Sequence, residues 1–462
     1  MRSLIVLALL AALSGSAGAA GRNGAVFVKE TAPPSTLAAG QTFKVSITLR
    51  NSGETAWTKA DGFKLGAQSP ADNSRWRAGR VPLSEGSVKP GGTHTFTFTI
   101  TAPTEAGTYA FQWRMAQEKK EWFGQPSPIH KVFVKPERSL YGFTMGFEVQ
   151  GETGWAQPPL FSPFDRRDPR WWDEMLDEAS LAGADFIAPV TRGCNACKGG
   201  DAGNSCPRDL NKLVAALEKR PAAGRPKVAL FVDTGGAFAG HKNACKHGQM
   251  SHVPPIDLGD ATGAGEGGQQ AFWDMDMKIF YDVVPREHLF MVGGRPVIYF
   301  WSVAEDLGYA NHKGNSSKFL AWIRARVKER LGVEPFVVLD QSWVAKDPSI
   351  TPAIAEGVND WFDPKINGCT VREWGGRRFA VSVPGFIDPP GGPPKDRRVL
   401  PRAGGKTLSA CLDKIRGAGT TLTLLEGLTD AVESAGYYRS KAPDWSTPDQ
   451  YLDLVRAGLR QR

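Results

Sequence analysis

The chain has 462 residues with 56 Lys and Arg against 48 Asp and Glu, a net charge of +8. That length exceeds what one hydrophobic core usually serves, so two or three domains are expected. The charge is moderate and no arginine-rich stripe runs along the sequence, so nucleic-acid binding is not supported.

Residues 1–19 have the organisation of a signal peptide. Arg2 supplies a positive start, Leu4 to Leu13 is apolar, and Ala17-Gly-Ala19 is a small-residue cleavage pattern. The apolar run is too short to span a bilayer and no later stretch is long enough, so no transmembrane segment is expected. The mature protein is therefore expected to be secreted or periplasmic. No Cys stands just after the apolar run, which argues against a lipid anchor.

Residues 25–136 carry β-sheet texture. Phe43 to Leu49, Thr95 to Ile100, Ala110 to Met115 and Lys131 to Val134 alternate apolar and polar residues. The turn signals Asn51-Ser-Gly53, Pro90-Gly-Gly92 and Glu105-Ala-Gly107 separate them, a spacing that predicts an all-β sandwich. Trp57, Trp76, Trp113 and Trp122 punctuate this region. Indole rings stack well on sugar faces, although each of the 14 Trp of the chain is more often simply core.

From residue 139 to 462 the texture changes to apolar strands alternating with helical periodicity. Strands are predicted at Tyr141 to Phe147, Asp185 to Val190, Lys227 to Val232, Pro296 to Trp301, Phe336 to Leu339, Val358 to Phe362, Phe379 to Val383 and Thr421 to Leu425. Helix faces lie between them: Trp172, Met175, Leu176 and Ala179; Leu210, Leu213, Val214 and Leu217; Phe272 to Val283; Phe319, Trp322, Ile323 and Val327; Leu408, Cys411, Leu412 and Ile415. Tyr451, Val455 and Leu459 close the chain on a last helix. Eight continuous apolar strands alternating with helices predict a (β/α)8 TIM-type barrel, without a glycine-rich dinucleotide loop after the first strand. The predicted chain is thus multidomain, a sandwich followed by a barrel.

In such barrels the chemistry sits at the C-terminal ends of the strands. Those positions hold Glu148, Asp233, Trp301, Asp340, Asp363 and Glu426. An acid-rich rim with nearby Trp matches what a glycosidase needs, one acid to protonate the leaving oxygen and one carboxylate as base or nucleophile. Glu426, directly after an apolar strand and before Gly427, is the first candidate, with Asp340 or Asp430 as its partner. Glu148, Asp233, Trp301 and Glu433 are candidates for substrate contact. Each also has a structural alternative, such as a helix cap, a tight turn or barrel packing. No cofactor is expected, and the expected partner is carbohydrate.

Six Cys in an exported chain favour disulfides. Cys194, Cys197, Cys206 and Cys245 fall in the loops after strands two and three and are expected to form two bridges, and Cys369 is expected to pair with Cys411. A zinc site helped by His241 and His247 is the alternative for the first four, and the expectation is that no metal is bound. Asp388 to Lys395, rich in Pro and Gly, is a surface loop or a lid on the same face.

Two resemblances add to these readings. Asn51-Ser-Gly-Glu-Thr-Ala-Trp57, Val88-Lys-Pro-Gly-Gly92, Gly107-Thr-Tyr109, Trp113 and Trp122-Phe-Gly124 resemble the immunoglobulin-like four-tryptophan domain of autophagy cargo receptors and bacterial proteins. This implies a sandwich with a binding or spacer role. Trp171-Trp172 to Ala188, Gly294-Arg-Pro-Val-Ile-Tyr-Phe-Trp301 and Leu425-Glu-Gly-Leu-Thr-Asp430 with Glu433 are similar to the endo-mannosidase-like clan of bacterial glycoside hydrolases. The family's first Glu in the last segment matches Glu426. Its second falls on Thr429, and its preceding Asn on Leu425. The resemblance implies a glycoside hydrolase-like protein acting on a glycan. The Thr429 departure implies the alternative, a non-catalytic glycan-binding or cell-surface protein on a degenerate barrel.

Overall fold

The computed structural model describes residues 23–84, 86–136, 138–146, 157–191, 207–221, 224–235, 256–260, 268–303, 308–361, 368–387, 398–431 and 433–460. The proposed signal peptide, Glu148, Asp363, Cys194, Cys197, Cys206, Cys245, His241, His247 and the segment Asp388 to Lys395 lie outside the described residues. The chain divides into two compact units between Val134 and Lys135. Among the described residues no helix is long and apolar enough to cross a membrane.

The first unit is a set of antiparallel sheets. Ala25–Thr31, Thr42–Asn51 and Thr93–Thr101 form one sheet; Glu121–Phe123, Trp113–Gln117, Phe63–Ala67 and Arg80–Pro82 form another; Thr36–Ala38, His130–Lys135 and Gly107–Phe111 form a third. Strict alternation explains the core: Val45, Ile47 and Leu49 from one strand meet Phe96 and Ile100 from the next inside a single buried cluster. Trp57, Trp76 and Trp113 are fully buried in it, and Trp76 Nε1 donates to the Ala110 carbonyl at 2.9 Å. Trp122 lies under the Arg80 guanidinium, 4.5 Å from its ring centre. Three of the four indoles therefore serve packing. The motif turns are tied together by Asn51, whose buried amide donates to Thr55 O (2.8 Å) and Val88 O (2.9 Å). Its backbone also exchanges hydrogen bonds with Gly91 and Gly92. One side chain thus extends the short Trp57–Val88 ladder and ties the two loops together.

The second unit is a near-closed barrel. Its strands are β1 Leu140–Met145, β2 Phe186–Thr191, β3 Leu230–Val232, β4 Arg295–Phe300, β5 Phe336–Asp340, β6 Gly357–Asn359, β7 Arg377–Ser382 and β8 Leu422–Leu425. Parallel ladders join β1 to β2, β2 to β3, β3 to β4, β4 to β5, β5 to β6, β7 to β8 and β8 to β1. Between β6 and β7 the described residues show no ladder, yet the two strands touch: a Cβ on Gly357 would lie 2.5 Å from the Phe379 ring.

Helices α1 Pro169–Leu181, α2 Pro207–Glu218, α3 Ser316–Leu331, α4 Gln341–Lys346, α5 Lys406–Ala418 and α6 Gln450–Leu459 pack outside. A composite helix precedes β4, with Gln269–Phe272 and Lys278–Val283 joined by a π-helical turn at Trp273–Met277. Asp168 caps α1 by accepting from Arg170 N, with Pro169 in the first turn. No described helix links β6 to β7. There the expected β/α alternation gives way to a hairpin, because Cys369–Trp374 turns through Gly375 (φ +57°) and Gly376 (φ +77°) and pairs antiparallel with β7. Two consecutive left-handed residues form the tight turn that matches strand twist, and glycine adopts it without strain.

Strand parity sorts the barrel residues. Phe186 and Ala188, Val297 and Tyr299, Phe336 and Val338, Phe379 and Val381, Leu422 and Leu424 share one buried interior cluster. Their neighbours Ile187, Ile298, Val337, Leu339 and Leu425 belong to the cluster shared with the helices. On β1 the inward place falls to Gly142, where a Cβ would collide with the Phe186 carbonyl and ring.

Candidate functional site

The same parity orients the strand ends. Asp233 lies two residues past Phe231, Trp301 two past Tyr299, Asp340 two past Val338 and Glu426 two past Leu424, and all four reference residues are interior. Side chains two apart on a strand share a face, so these four start from the inner face at the C-terminal end of the parallel strands.

Asp233 is 7% exposed and its N–H donates to Thr191 O at 3.0 Å, continuing the β2–β3 ladder. Asp340 is 5% exposed and has a structural duty. It caps α4, with Oδ1 accepting from Ser342 N at 2.9 Å, and Oδ2 accepts from Trp361 N at 3.3 Å. Oδ1 of Asp340 thus holds the start of α4, and Oδ2 stitches β5 to the segment after β6.

Trp301 is tied to the same region. Its carbonyl accepts from Trp343 Nε1 at 2.7 Å, and its ring meets Trp361 edge-on at 6.0 Å. Trp361 lies 6.0 Å from Phe231 as well. Trp301 and Trp361 pack against the interior cluster and remain only partly buried. Trp301 Nε1 is buried with no hydrogen-bond partner. The wall beside Asp340 is therefore aromatic, with an indole N–H available.

Glu426 leaves β8 where its N–H donates to Ser382 O at 2.8 Å. The next turn is fastened to β1: Gly427 N donates to Thr144 Oγ1 (2.7 Å), Leu428 N to Thr144 O (2.9 Å), and Thr429 Oγ1 to Gly146 O (2.9 Å). One carboxylate oxygen of Glu426 is buried. Beneath it, Tyr437 donates to Ser382 O at 3.2 Å. Burial chiefly, with the Glu426 charge adding to it, pushes the Tyr437 hydroxyl far above its ordinary range.

Asp430 and Glu433 form part of the loop's own scaffold. Asp430 Oδ1 accepts from Glu433 N at 2.9 Å, and its carbonyl accepts from Ala435 N. The Glu433 carbonyl accepts from Ile387 N at 2.8 Å. Arg402 holds this loop from below, donating from Nη2 to Ser434 O (2.9 Å) and Gly436 O (2.6 Å). Its guanidinium is buried 4.5 Å from the Tyr451 ring, and burial lowers its pKa.

The structure thus brings Trp301, Asp340 and Trp361 into one network. Glu426, Asp430 and Glu433 belong to a second, the loop after β8. Trp361, Trp343, Arg402 and Tyr437 were not singled out from the sequence. Trp361 stands two residues beyond β6 in the same parity as the other four, a signal that strand alternation carries. Cys369 and Cys411 form a disulfide with Cα atoms 5.4 Å apart. Among the described residues no group of three His, Cys, Asp or Glu is arranged to hold a metal ion.

No curated protein matches the chain. A solved structure described as "Glycoside hydrolase-like protein" is similar with a TM-score of 0.52 at 14% identity, over 73% of this chain and 98% of its own. Two structures of the GH99 endo-alpha-mannosidase from Bacteroides thetaiotaomicron have TM-scores of 0.43. They are 10% and 11% identical over 70% and 69% of this chain, and 96% of each is covered. The glycoside hydrolase-like protein, at a TM-score of 0.52, shares the fold. Residues 31–134 match the family described as "Ig-like domain from next to BRCA1 gene", in agreement with the tryptophan and turn motifs. Residues 138–459, the whole barrel, match a second family, and the chain belongs to it: "Domain of unknown function (DUF5010)".

Proposed function

We propose that residues 139–462 are a glycoside hydrolase-like (β/α)8 barrel whose sixth helix is replaced by the Cys369–Trp374 hairpin, and that it acts on a glycan at the strand C-termini. Residues 25–136 serve it as a spacer or ancillary binding domain. In this reading residues 1–19 direct export, so the protein works outside the cytoplasm. The observation that carries the reading is the shared inward parity of Asp233, Trp301, Asp340 and Glu426 on an aromatic-walled barrel end. Glu426 is the leading catalytic carboxylate, because one of its oxygens is buried and its backbone is fixed to β7. Asp340 or Asp430 is its partner, and Asp233, Trp301, Glu433 and Glu148 contact substrate.

A second reading is favoured by one observation. Thr429, where the related family carries a second Glu, spends its hydroxyl on the Gly146 carbonyl, and the Asp430 carboxylate is occupied by Glu433 N. A non-catalytic glycan-binding protein would tolerate that arrangement. A glycan-panel hydrolysis screen of wild type beside Glu426→Gln separates the two. Hydrolysis lost by orders of magnitude in the variant supports the enzyme. Equal cleavage by both proteins removes Glu426 from the mechanism. Binding without cleavage by either supports the second reading.

A further inference from the structure

The opposite end of the barrel carries an unassigned cavity of about 630 Å3, opening among the N-terminal ends of β1 and β2 and the short strand Lys227–Val228 that precedes β3. Its charged lining is Arg138, Arg225, Lys227, Arg286 and Arg460 against Asp185 and Glu287. The balance is five cations to two anions, a surplus of three positive charges. Leu140 and Phe290 give it an apolar floor.

Some of this charge has a structural explanation. Helices that follow parallel strands end at this face, and cations there satisfy the last helix carbonyls. Arg225 Nη1 donates to Leu217 O at 2.7 Å at the end of α2, and Arg286 Nη1 donates to Leu331 O at the end of α3. Arg138 pairs with Asp185 through both its terminal nitrogens. Capping uses only one nitrogen of each guanidinium, and it holds the rest in place. Arg225 Nε is buried with no partner. Among the described residues Lys227 donates to a neutral carbonyl, that of Glu287, at 2.7 Å, and makes no ion pair. Arg460 makes no ion pair among the described residues.

The field is felt by neighbours. Burial chiefly lowers the His288 pKa; the Arg225 and Lys227 charges add to this, and Glu287 and Glu218 oppose it. A cavity of this size falls in the range that holds small ligands, and its leftover donors are preorganised.

We propose that this cavity binds an anionic saccharide, with carboxylate or sulfate groups on Arg225, Lys227, Arg286 and Arg460 and a ring face on the apolar floor. The site is separate from the strand C-termini; the choice of a saccharide rests on the glycan reading above, and the preference for an anion does not. Binding of a sulfated heparin hexasaccharide, hexagalacturonate and neutral maltohexaose to the full chain, measured by calorimetry at low and physiological salt, tests it. At least one of the two anionic probes binds and weakens with salt, and the neutral one does not. The pattern of the two distinguishes sulfate from carboxylate. Arg225→Gln with Arg286→Gln weakens binding about tenfold or more, as expected for losing two charge-assisted contacts. Those two residues also cap helices, so Arg460→Glu, an exposed charge reversal, is the fold-neutral variant and weakens binding severalfold. Equal binding by the neutral probe, no binding by either anionic probe, or unchanged affinity in Arg460→Glu with the folded double variant overturns the proposal.

Discussion

Removing the Cys369–Cys411 bridge is expected to loosen the part of the barrel that lacks a ladder. The two residues are 42 apart in sequence. Closing a loop of that length removes entropy from the unfolded chain worth about 4 kcal/mol at 25 °C in the chain-entropy treatment. Cys369 begins the hairpin strand and Cys411 lies in α5, so the bond ties β7's antiparallel neighbour to the helix that follows β7. Both side chains are buried. The double variant Cys369→Ala, Cys411→Ala therefore loses the crosslink and leaves a small void costing roughly 1 kcal/mol more. Hydrogen exchange of the β7 amides, followed by mass spectrometry in a regime where opening is at equilibrium, reads the barrel's free energy separately from the sandwich. The double variant Cys369→Ser, Cys411→Ser, which keeps the side-chain volume and leaves the other cysteines untouched, controls for the void. A loss of about 3–5 kcal/mol in both is expected. A loss under about 1 kcal/mol in both would refute the reasoning and show that packing around α5 already restricts the unfolded segment.

Four further outcomes are expected. Glu178 is buried in α1 with Oε1 accepting from Arg439 N at 3.1 Å, and Arg439 and Glu174 are the charges acting on it. Burial raises its pKa to about 8, so the native state holds its proton more tightly than the unfolded state, whose value is near 4.5. Stability should fall as pH rises from 4.5 to about 8, and Glu178→Gln should flatten that slope in thermal melts; an unchanged slope sinks the assignment. Asp340→Ala should cost about 1–2 kcal/mol through the lost α4 cap, whereas Asp340→Asn should recover most of it in urea titrations. If Asp340→Asn also keeps full glycan cleavage, Asp340 is a cap and not a catalytic acid. Gly142→Ala should destabilise the barrel by about 3 kcal/mol or more, since its methyl meets a backbone carbonyl that cannot rotate away, and normal soluble yield and midpoint would contradict the packing argument. Trp76→Phe keeps an aromatic ring but strands the Ala110 carbonyl, and should lower sandwich stability by about 1–3 kcal/mol in denaturant titrations that follow that unit; a neutral result would mean that water replaces the indole.

What the sequence by itself determined is what short-range pattern encodes. Alternation over Phe43 to Leu49 and Thr95 to Ile100, and the apolar runs that became β4, β5 and β8, are local, because side-chain period follows from backbone geometry alone. The same parity put Asp233, Trp301, Asp340 and Glu426 on one side of their strands. The hairpin before β7 is legible too, in Gly375-Gly376 between alternating residues. Only the tertiary structure decided the rest. Nothing near Asp340 in sequence reveals that Trp361 N, 21 residues away, occupies its second oxygen. Nor does Arg402 announce that it will be buried under the loop that carries Asp430 and Glu433. Such partners are fixed by which strands become neighbours around the ring, and that follows from burying the whole interior at once, a sum over long-range contacts that no local window contains.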